Sequence, residues 1–225
     1  MILVPVKNFV NAKQRLSAVL DPEARQDLAQ AMCTDVLETL AAWPRRPEVM
    51  VVTGDACASG LARRLGFAVL PDPVDPGETG AIAMATEVCR ASGAQFTMVI
   101  PADIPLVESA ELDRIMECAP PAGTVLVPDA DGRGTNAALR VPADLFPLHF
   151  GNDSFLPHRA AAEATGLPCI VLELPGIARD VDRPEDLRAL ASAPGERQAQ
   201  RLVRGWNVAR WDIRAADLDE QVCRG

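Results

Sequence analysis

Short apolar runs alternate with longer segments of helical periodicity along most of the chain. The apolar runs predict strands at residues 1–6, 48–53, 67–70, 96–101, 124–128, 135–141 and 169–174. The periodic segments predict helices at residues 22–43, 57–65, 79–91, 108–118, 153–165 and 184–192. This alternation favours an α/β fold with a largely parallel sheet covered by helices on both faces. No helix is predicted between 124–128 and 135–141, so we expect that part of the sheet to be mixed.

The first predicted helix carries the clearest local signals. Asp21 is a typical N-cap residue, and Pro22 suits the first helical turn, where a missing N–H breaks no hydrogen bond. Pro44 follows the predicted end of the helix. An apolar residue recurs at every fourth position, which predicts a buried stripe formed by Leu28, Met32, Val36 and Leu40.

Residues 1–192 carry the alternating pattern, and residues 193–225 depart from it. This C-terminal extension contains Trp206 and Trp211 among many charged residues. Large apolar side chains are costly to expose, so we expect the extension to pack, either on the domain or on a second subunit of a homodimer. Partial disorder is the alternative.

The composition narrows the class of protein. The 225 residues suit one α/β domain, and no apolar window is long enough to cross a membrane. Met1 leads directly into the first predicted strand, so we expect no signal peptide and a cytoplasmic protein. The six cysteines show no metal-site spacing and are expected to be reduced. The net charge of −9 argues against a nucleic-acid partner.

Three cations are gathered after the first predicted strand. Only two of the 22 basic residues are lysines, Lys7 and Lys13, and Arg15 lies beside them. In an acidic chain that otherwise uses arginine, such a cluster indicates a phosphate-binding loop. No Walker loop and no G-x-G-x-x-G segment is present.

Three aspartates follow strands in positions suited to a metal. Asp103 lies between Pro101 and Pro105, just beyond a buried strand. Asp180 and Asp182 follow the last predicted strand, and side chains two apart in an extended segment point to the same side. Magnesium prefers a few carboxylate oxygens together with substrate phosphates, so these residues are candidate ligands. Asp103 and Asp182 could instead cap the turns that follow them.

Three further segments offer backbone and hydroxyl donors. Thr135 follows the glycines of DGRGTN (residues 131–136), Gly151 and Ser154 precede a predicted helix, and a glycine-rich loop contains Gly77, Thr79 and Gly80. Helix starts bind anions through free N–H groups. Each segment also has a purely structural alternative. The DGRGTN segment could be a hairpin turn, Ser154 could be a residue of the first helical turn, and the loop with Gly77 could be a turn followed by a helix cap. His149 and His158 would form a zinc site only with further ligands, and none is evident.

Taken together, these motifs resemble one family. They are VPVK (residues 4–7), AKQRL (12–16), PADIPL (101–106), DGRGTNAAL (131–139), FGNDSFLPH (150–158) and DVDRPEDL (180–187). The pattern is similar to the 2-phospho-L-lactate guanylyltransferase family over about residues 1–192. That resemblance implies a nucleotidyltransferase fold, a Rossmann-like three-layer α/β/α sandwich. It also implies transfer of GMP from GTP to a small phosphorylated acid, with release of pyrophosphate, in the biosynthesis of coenzyme F-420.

The resemblance also implies roles for individual residues. Lys7, Lys13 and Arg15 would hold the GTP phosphates and act in catalysis with Asp103. Asp103, Asp180 and Asp182 would bind magnesium. Thr135, Gly151 and Ser154 would bind the acceptor, which in this family is 2-phospho-L-lactate, phosphoenolpyruvate or 3-phospho-D-glycerate. Gly77, Thr79 and Gly80 match the guanine-side loop, which usually reads Gly-Leu-Asn and here reads Gly77-Glu78-Thr79.

Two other functions remain open from the sequence. One is a different nucleotidyltransferase, acting on a sugar phosphate or a molybdopterin. Those enzymes usually carry a glycine-rich signature after the first strand, where this chain has lysine and arginine. The other is a non-catalytic nucleotide-binding domain, which would need fewer acidic residues than this chain retains.

Overall fold

The computed structural model describes residues 1–72, 77–151 and 153–206. Its strands are β1 (Ile2–Val6), β2 (Val49–Thr53), β3 (Ala68–Pro71), β4 (Thr97–Val99), β5 (Gly123–Pro128), β6 (Thr135–Val141) and β7 (Cys169–Val171). Its helices are α1 (Pro22–Ala42), α2 (Ala56–Arg64), α3 (Gly77–Ala91), α4 (Ser109–Cys118), α5 (Phe155–Glu163), α6 (Pro184–Ser192) and α7 (Gln198–Gly205). Every predicted strand and helix is present, although β4 and β7 are shorter than expected.

The strands form one mixed sheet. Their order is β3-β2-β1-β4-β6-β5-β7. Strand β1 is parallel to β2 and β4, β2 to β3, and β5 to β7. Strand β6 runs antiparallel to both of its neighbours, β4 and β5. The prediction of a mostly parallel, partly mixed sheet is therefore confirmed, with β6 as the exception to the parallel direction among the described residues.

Helices cover both faces of the sheet. Ile2 and Val4 of β1 pack in one core cluster with side chains from α1, α2 and α4. Leu3, between them, packs in a second cluster with residues of α3 and α5. This alternation of buried side chains is the period of two expected for a strand buried on both faces. The three-layer α/β/α sandwich is confirmed.

Helix α1 lies between the sheet and two further helices. The Asp21 side chain accepts a hydrogen bond of 2.8 Å from the Ala24 N–H, as expected for an N-cap. The predicted apolar stripe is fully buried but serves two cores. Val36 and Leu40 face the sheet cluster, whereas Leu28 and Met32 pack with α6 and α7.

Helix α7 is held against α1 by a buried carboxylate. Asp35 accepts hydrogen bonds of 2.8 Å from the backbone N–H groups of Gln198 and Ala199. These are N–H groups of the first helical turn, which have no partner within their own helix. Val203 is fully buried in the same contact. The extension therefore begins with a packed helix, while Trp211 lies outside the described residues.

None of the helices in the described ranges is both long and apolar enough to cross a membrane. The division of the chain at residue 192 and a contact with a second subunit remain predictions.

We expect Asp35→Ala to loosen α7. The variant leaves the buried N–H of Ala199 and the partly buried N–H of Gln198 without an acceptor, which should lower the free energy of unfolding by about 1–2 kcal/mol. Glu38→Ala is the matched control, because Glu38 lies on the same helix and accepts an exposed hydrogen bond from the Gln198 side chain. Urea unfolding and hydrogen exchange over residues 198–205 would measure the difference. Equal protection of α7 in both variants would contradict the assigned role.

Candidate active site

The carboxyl ends of β1 and β4 bring the predicted site residues to one edge of the sheet. Lys7 follows β1, and Asp103 follows β4, its parallel neighbour. Because β6 is antiparallel, its first residue, Thr135, lies at the same edge. The loop after β7 joins them, since the Val181 N–H donates a 3.2 Å hydrogen bond to the Asp103 carbonyl. Ligands bind at such edges in open α/β sheets.

A buried lysine links the loops. The Lys13 ammonium lies 2.7 Å from Asp103 Oδ2 and 2.7 Å from Asp182 Oδ1. Its side chain is only 8% exposed. Lys13 also has a left-handed backbone conformation, with φ of 53°, which is uncommon for a residue with a Cβ. The chain accepts this strained geometry at the point where the ammonium reaches both carboxylates, as often happens in functional sites.

The charges of this cluster support one another. Burial alone would lower the pKa of Lys13, but Asp103 and Asp182 outweigh burial and raise it. Burial alone would raise the pKa of Asp182, but Lys13 and then Arg15 hold it below its usual range. Arg15 Nη1 lies 3.1 Å from Asp182 Oδ2. Lys13 and Asp182 are therefore both ionised at neutral pH.

Asp180 is the third aspartate of the site, and it forms no ion pair with Lys13 or Arg15. Its Oδ1 accepts a 3.0 Å hydrogen bond from the Asn136 side-chain amide, which also donates to the Ile177 carbonyl. Burial, and next the nearby Asp103 carboxylate, raise the pKa of Asp180 to about 6. In the sequence Asn136 is marked only by its place in the DGRGTN segment, whereas the structure shows its amide orienting Asp180, a predicted metal ligand.

The carboxylates fit a magnesium ion that also binds substrate. Among the described residues, no group of three or more acidic, histidine or cysteine side chains is arranged to hold a metal ion by itself. Magnesium, however, is usually held by one or two carboxylates and substrate phosphates. Asp103 and Asp180 can supply such oxygens, and a divalent cation would relieve the repulsion by which the Asp103 charge raises the pKa of Asp180.

The two capping alternatives for the aspartates are wrong. The Asp103 carboxylate is bound to Lys13 rather than to the turn that follows it. At the start of α6, Asp186 accepts from the N–H groups of Asp182 and Arg183, at 2.9 and 2.7 Å. Asp186 therefore caps the helix, and the Asp182 carboxylate is left to bind the cations.

Lys7 differs from Lys13 in its surroundings. It is exposed and forms no ion pair with another described residue. It is nevertheless close enough to influence the pKa values of Glu78 and Asp182. The three cations of the predicted cluster thus lie at one site but differ in their contacts. Lys13 is bound to two carboxylates, Arg15 is bound to Asp182 and is also half-exposed, and Lys7 faces the solvent.

Thr135 and Ser154, two of the predicted acceptor residues, are in contact. The Thr135 N–H donates to Ser154 Oγ at 3.1 Å, and both residues are buried. The third, Gly151, is exposed and has φ of 151°, with open space where a side chain would lie. Glycine is suited to this backbone conformation, and the absence of a side chain allows a ligand to approach the backbone closely.

A β-bulge aims Thr135 and Asn136 in different directions. Pro128 pairs with Thr135 and Val127 with Ala137, so Asn136 is an extra residue in β6. In regular alternation Thr135 would share the face of Ala137, towards α1 and α4. Instead its hydroxyl contacts Ser154 beside α5, while Asn136 reaches Asp180. Bulges often redirect side chains next to active sites.

The predicted guanine-side loop leads into α3. Gly77, at the helix start, has φ of 75°, and Gly80 lies in the first turn. The Thr79 hydroxyl accepts a 2.8 Å hydrogen bond from the Phe150 N–H and donates to its carbonyl at 3.3 Å. Thr79 therefore joins this segment to the predicted acceptor loop. Residues 73–76 of the motif lie outside the described residues.

Glu78 is a further acidic residue at the site. Burial, and next the Asp103 charge, raise the pKa of Glu78 to about 7. The sequence showed it only as a departure from the usual Gly-Leu-Asn, because nothing in the local pattern places α3 beside Asp103. The roles of all these residues toward substrates remain predictions.

Solved structures show the class of fold. A candidate nucleotide-diphospho-sugar transferase from Desulfovibrio desulfuricans G20 matches with a TM-score of 0.72 and 18% identity, over 91% of this chain and 93% of that one. A cytidylyltransferase from Leptospira borgpetersenii matches with a TM-score of 0.56 and 12% identity, over 90% and 91% of the two chains. The fold is that of the nucleotidyltransferases.

Sequence relatives narrow the class further. A phosphoenolpyruvate guanylyltransferase from Conexibacter woesei is 36% identical over 190 residues, 84% of this chain and 85% of that protein. A 3-phospho-D-glycerate guanylyltransferase from Colwellia psychrerythraea is 31% identical over 205 residues, 90% of this chain and 97% of that protein. Residues 1–223 match the family described as guanylyl transferase CofC like. The chain belongs to this guanylyltransferase family, as the resemblance of its motifs predicted.

We expect Lys13→Met to destabilise the fold. Without the ammonium, Asp103 and Asp182 repel each other. The free energy of unfolding should fall by about 1–3 kcal/mol, less than for a fully buried pair because both carboxylates are partly exposed. Lys7→Met is the matched control and should change stability by no more than about 0.5 kcal/mol. Denaturant unfolding in the presence of a chelator would compare them, and equal effects would contradict the assigned role of Lys13.

Proposed function

We propose that this enzyme transfers GMP from GTP to the phosphate of a small phosphorylated acid and releases pyrophosphate. The observation that carries the proposal is the Lys13 ion pair with Asp103 and Asp182, beside Asp180, at the substrate-binding edge of the sheet. Membership of the guanylyltransferase family supports the same reaction.

The reaction needs positioning more than acid–base catalysis. An oxygen of the acceptor phosphate attacks the α-phosphorus of GTP, a new P–O bond forms, and the bond to the β-phosphate breaks as pyrophosphate leaves. A phosphate monoester is largely dianionic near pH 7, so no residue has to remove a proton. The main obstacle is the repulsion between two polyanions, which fixed cations can offset.

The cations divide this work. Lys7 is exposed and has no ion pair in the described part of the chain, so it is the cation that would contact the GTP phosphates directly. Arg15 has a half-exposed side chain and can contact a phosphate while keeping Asp182. Lys13 is buried, so its proposed contribution is to hold Asp103 and Asp182 in place and to add positive charge behind the phosphates.

Magnesium is the proposed cofactor. Asp103 and Asp180 would hold it, and Asp182 would remain the partner of Lys13 and Arg15. When bound, magnesium supplies Lewis-acid stabilisation of the charge on the reacting phosphates. Asn136 supports this arrangement by fixing the orientation of the Asp180 carboxylate.

The acceptor would lie at Thr135, Gly151 and Ser154. The Thr135 hydroxyl and the exposed backbone of Gly151 offer neutral donors, which suit a carboxylate or phosphate next to an already cationic site. Ser154 holds Thr135 in place through the Thr135 N–H. GTP would place its guanine near the start of α3, at Gly77, Thr79 and Gly80. Thr79 binds the Phe150 backbone, so the two substrate segments are mechanically joined.

Phosphoenolpyruvate is the proposed acceptor. The Conexibacter relative carries that name and is more similar to this chain than the Colwellia relative named for 3-phospho-D-glycerate. The product would be a precursor of coenzyme F-420, as the family resemblance implies.

Pyrophosphate release tests the reaction. With GTP and magnesium, the enzyme should release pyrophosphate when phosphoenolpyruvate is added, and less with 3-phospho-D-glycerate or 2-phospho-L-lactate. Replacing GTP by CTP or ATP is the control for the base. Release only with CTP, or only with sugar phosphates, would move the chain to another nucleotidyltransferase reaction. Silence under every condition would refute the proposal.

Asp103→Asn tests the catalytic carboxylate. The substitution removes a metal ligand and one partner of Lys13, and we expect kcat/KM to fall by about 10²–10³ or more with the fold intact. Asp131→Asn is the matched control, because Asp131 lies on the exposed loop before β6 and contacts Arg183 only at 3.5 Å. Steady-state pyrophosphate assays and circular dichroism would be compared. More than half of the wild-type activity in Asp103→Asn would contradict the assignment.

A further inference from the structure

His158 is a buried histidine that the proposed chemistry does not use. It lies on α5, is 1% exposed, and packs edge-on against the Phe150 ring at a centroid distance of 5.2 Å. Its Nε2 lies 2.8 Å from the His149 backbone nitrogen, and its Nδ1 lies 2.9 Å from Thr135 Oγ1. Both ring nitrogens thus contact segments that are proposed to bind the acceptor.

The geometry fixes the position of the ring proton. A backbone N–H can only donate, so Nε2 must accept from His149 and carries no hydrogen. A neutral imidazole then has its proton on Nδ1, which donates to Thr135 Oγ1. Consistent with this, burial and then the nearby His149 and Arg140 charges lower the pKa of His158 to about 4. The ring is neutral at physiological pH.

This proton position determines what the Thr135 hydroxyl can do. Its oxygen accepts from His158 Nδ1 and, over a longer distance of 3.4 Å, from the Ser154 hydroxyl. Ser154 Oγ is itself the acceptor of the Thr135 N–H. With both neighbours donating to Oγ1, the hydroxyl hydrogen of Thr135 is left to point away from them, where it can donate to a ligand.

The same histidine fixes the backbone before Gly151. The His149 N–H is bound to His158, and the next N–H, that of Phe150, is bound to Thr79. Two consecutive N–H groups are therefore held by side chains from α5 and α3. The backbone is therefore held in place up to Gly151, although Gly151 itself is exposed.

We propose that His158 is a positioning residue for the acceptor, which makes the Thr135 hydroxyl a hydrogen-bond donor toward an anionic group and fixes the loop that leads to Gly151. This inference rests on the proposed function, because it takes Thr135 and Gly151 as acceptor contacts. The donor would serve a carboxylate or a phosphate oxygen, both of which only accept hydrogen bonds near neutral pH.

Two amide substitutions separate the two contacts of the ring. In His158→Asn, the side-chain amide reaches the position of Nδ1 and can still donate to Thr135, but the partner of the His149 N–H is lost. In His158→Gln, the longer side chain places an acceptor near the position of Nε2, but the donor to Thr135 is lost. Thermal unfolding and circular dichroism of both variants check that they fold.

The expected readout is a difference between the two Michaelis constants. In His158→Gln, KM for the acceptor should rise about tenfold, the size of one neutral hydrogen bond, while KM for GTP changes less than about twofold. His158→Asn should keep the acceptor KM within about threefold of the wild type. In a Thr135→Val background, His158→Gln should add less than about twofold, because the two residues act through one contact.

Several outcomes would overturn the inference. Equal acceptor KM in the Asn and Gln variants, or a parallel rise of KM for GTP, would assign His158 a structural role only. Long-range ¹H–¹⁵N spectra of the wild type should show the proton on Nδ1, and a proton on Nε2 would refute the inference without reference to activity. An inactive wild type with every acceptor would refute the proposed function itself, whereas an active wild type without the Asn and Gln pattern would refute only the role of His158.

Discussion

The structure of the site depends on one buried cation held between two carboxylates. Lys13 joins the loop after β1 to the segments that carry Asp103 and Asp182, at 2.7 Å from each. Each charge would be costly to bury alone, and together they are tolerated. The ion pairs therefore fix the relative positions of three loops, two of which are also joined by the hydrogen bond from the Val181 N–H to the Asp103 carbonyl. It also explains why a residue with a Cβ is kept in a left-handed conformation at Lys13.

Acidic and basic side chains of different exposure surround the ion pair. Asp180 and Glu78 are half-buried acids whose pKa values are raised toward neutrality. Lys7 and Arg15 reach the solvent. Thr135 and Ser154 add neutral hydroxyl side chains at the same edge. A site of this kind suits two anionic substrates that meet at a metal. The cations suit the phosphates, the carboxylates suit the metal, and the neutral hydroxyl side chains suit the acceptor.

The fold was predictable because its signals are local and repeated. The cap at Asp21 and the alternating apolar runs each need only a few neighbouring residues. Site residues were found where short motifs follow strands. The sequence could not predict which side chains pair with one another, because partners such as Lys13 and Asp182 lie far apart in the chain. The β-bulge, the contact of Asp35 with α7, and the bonds of His158 likewise depend on tertiary packing, for which no short pattern exists.

The bulge in β6 lets two consecutive residues serve the two substrates separately. Thr135 faces the proposed acceptor, and Asn136 faces the carboxylate proposed to hold the metal. On a regular strand without the bulge, each of these two side chains would point to the opposite face of the sheet. A single-residue deletion in this strand would exchange the two assignments and disable both halves of the site, whereas a change of length in the preceding hairpin loop would leave the assignments intact.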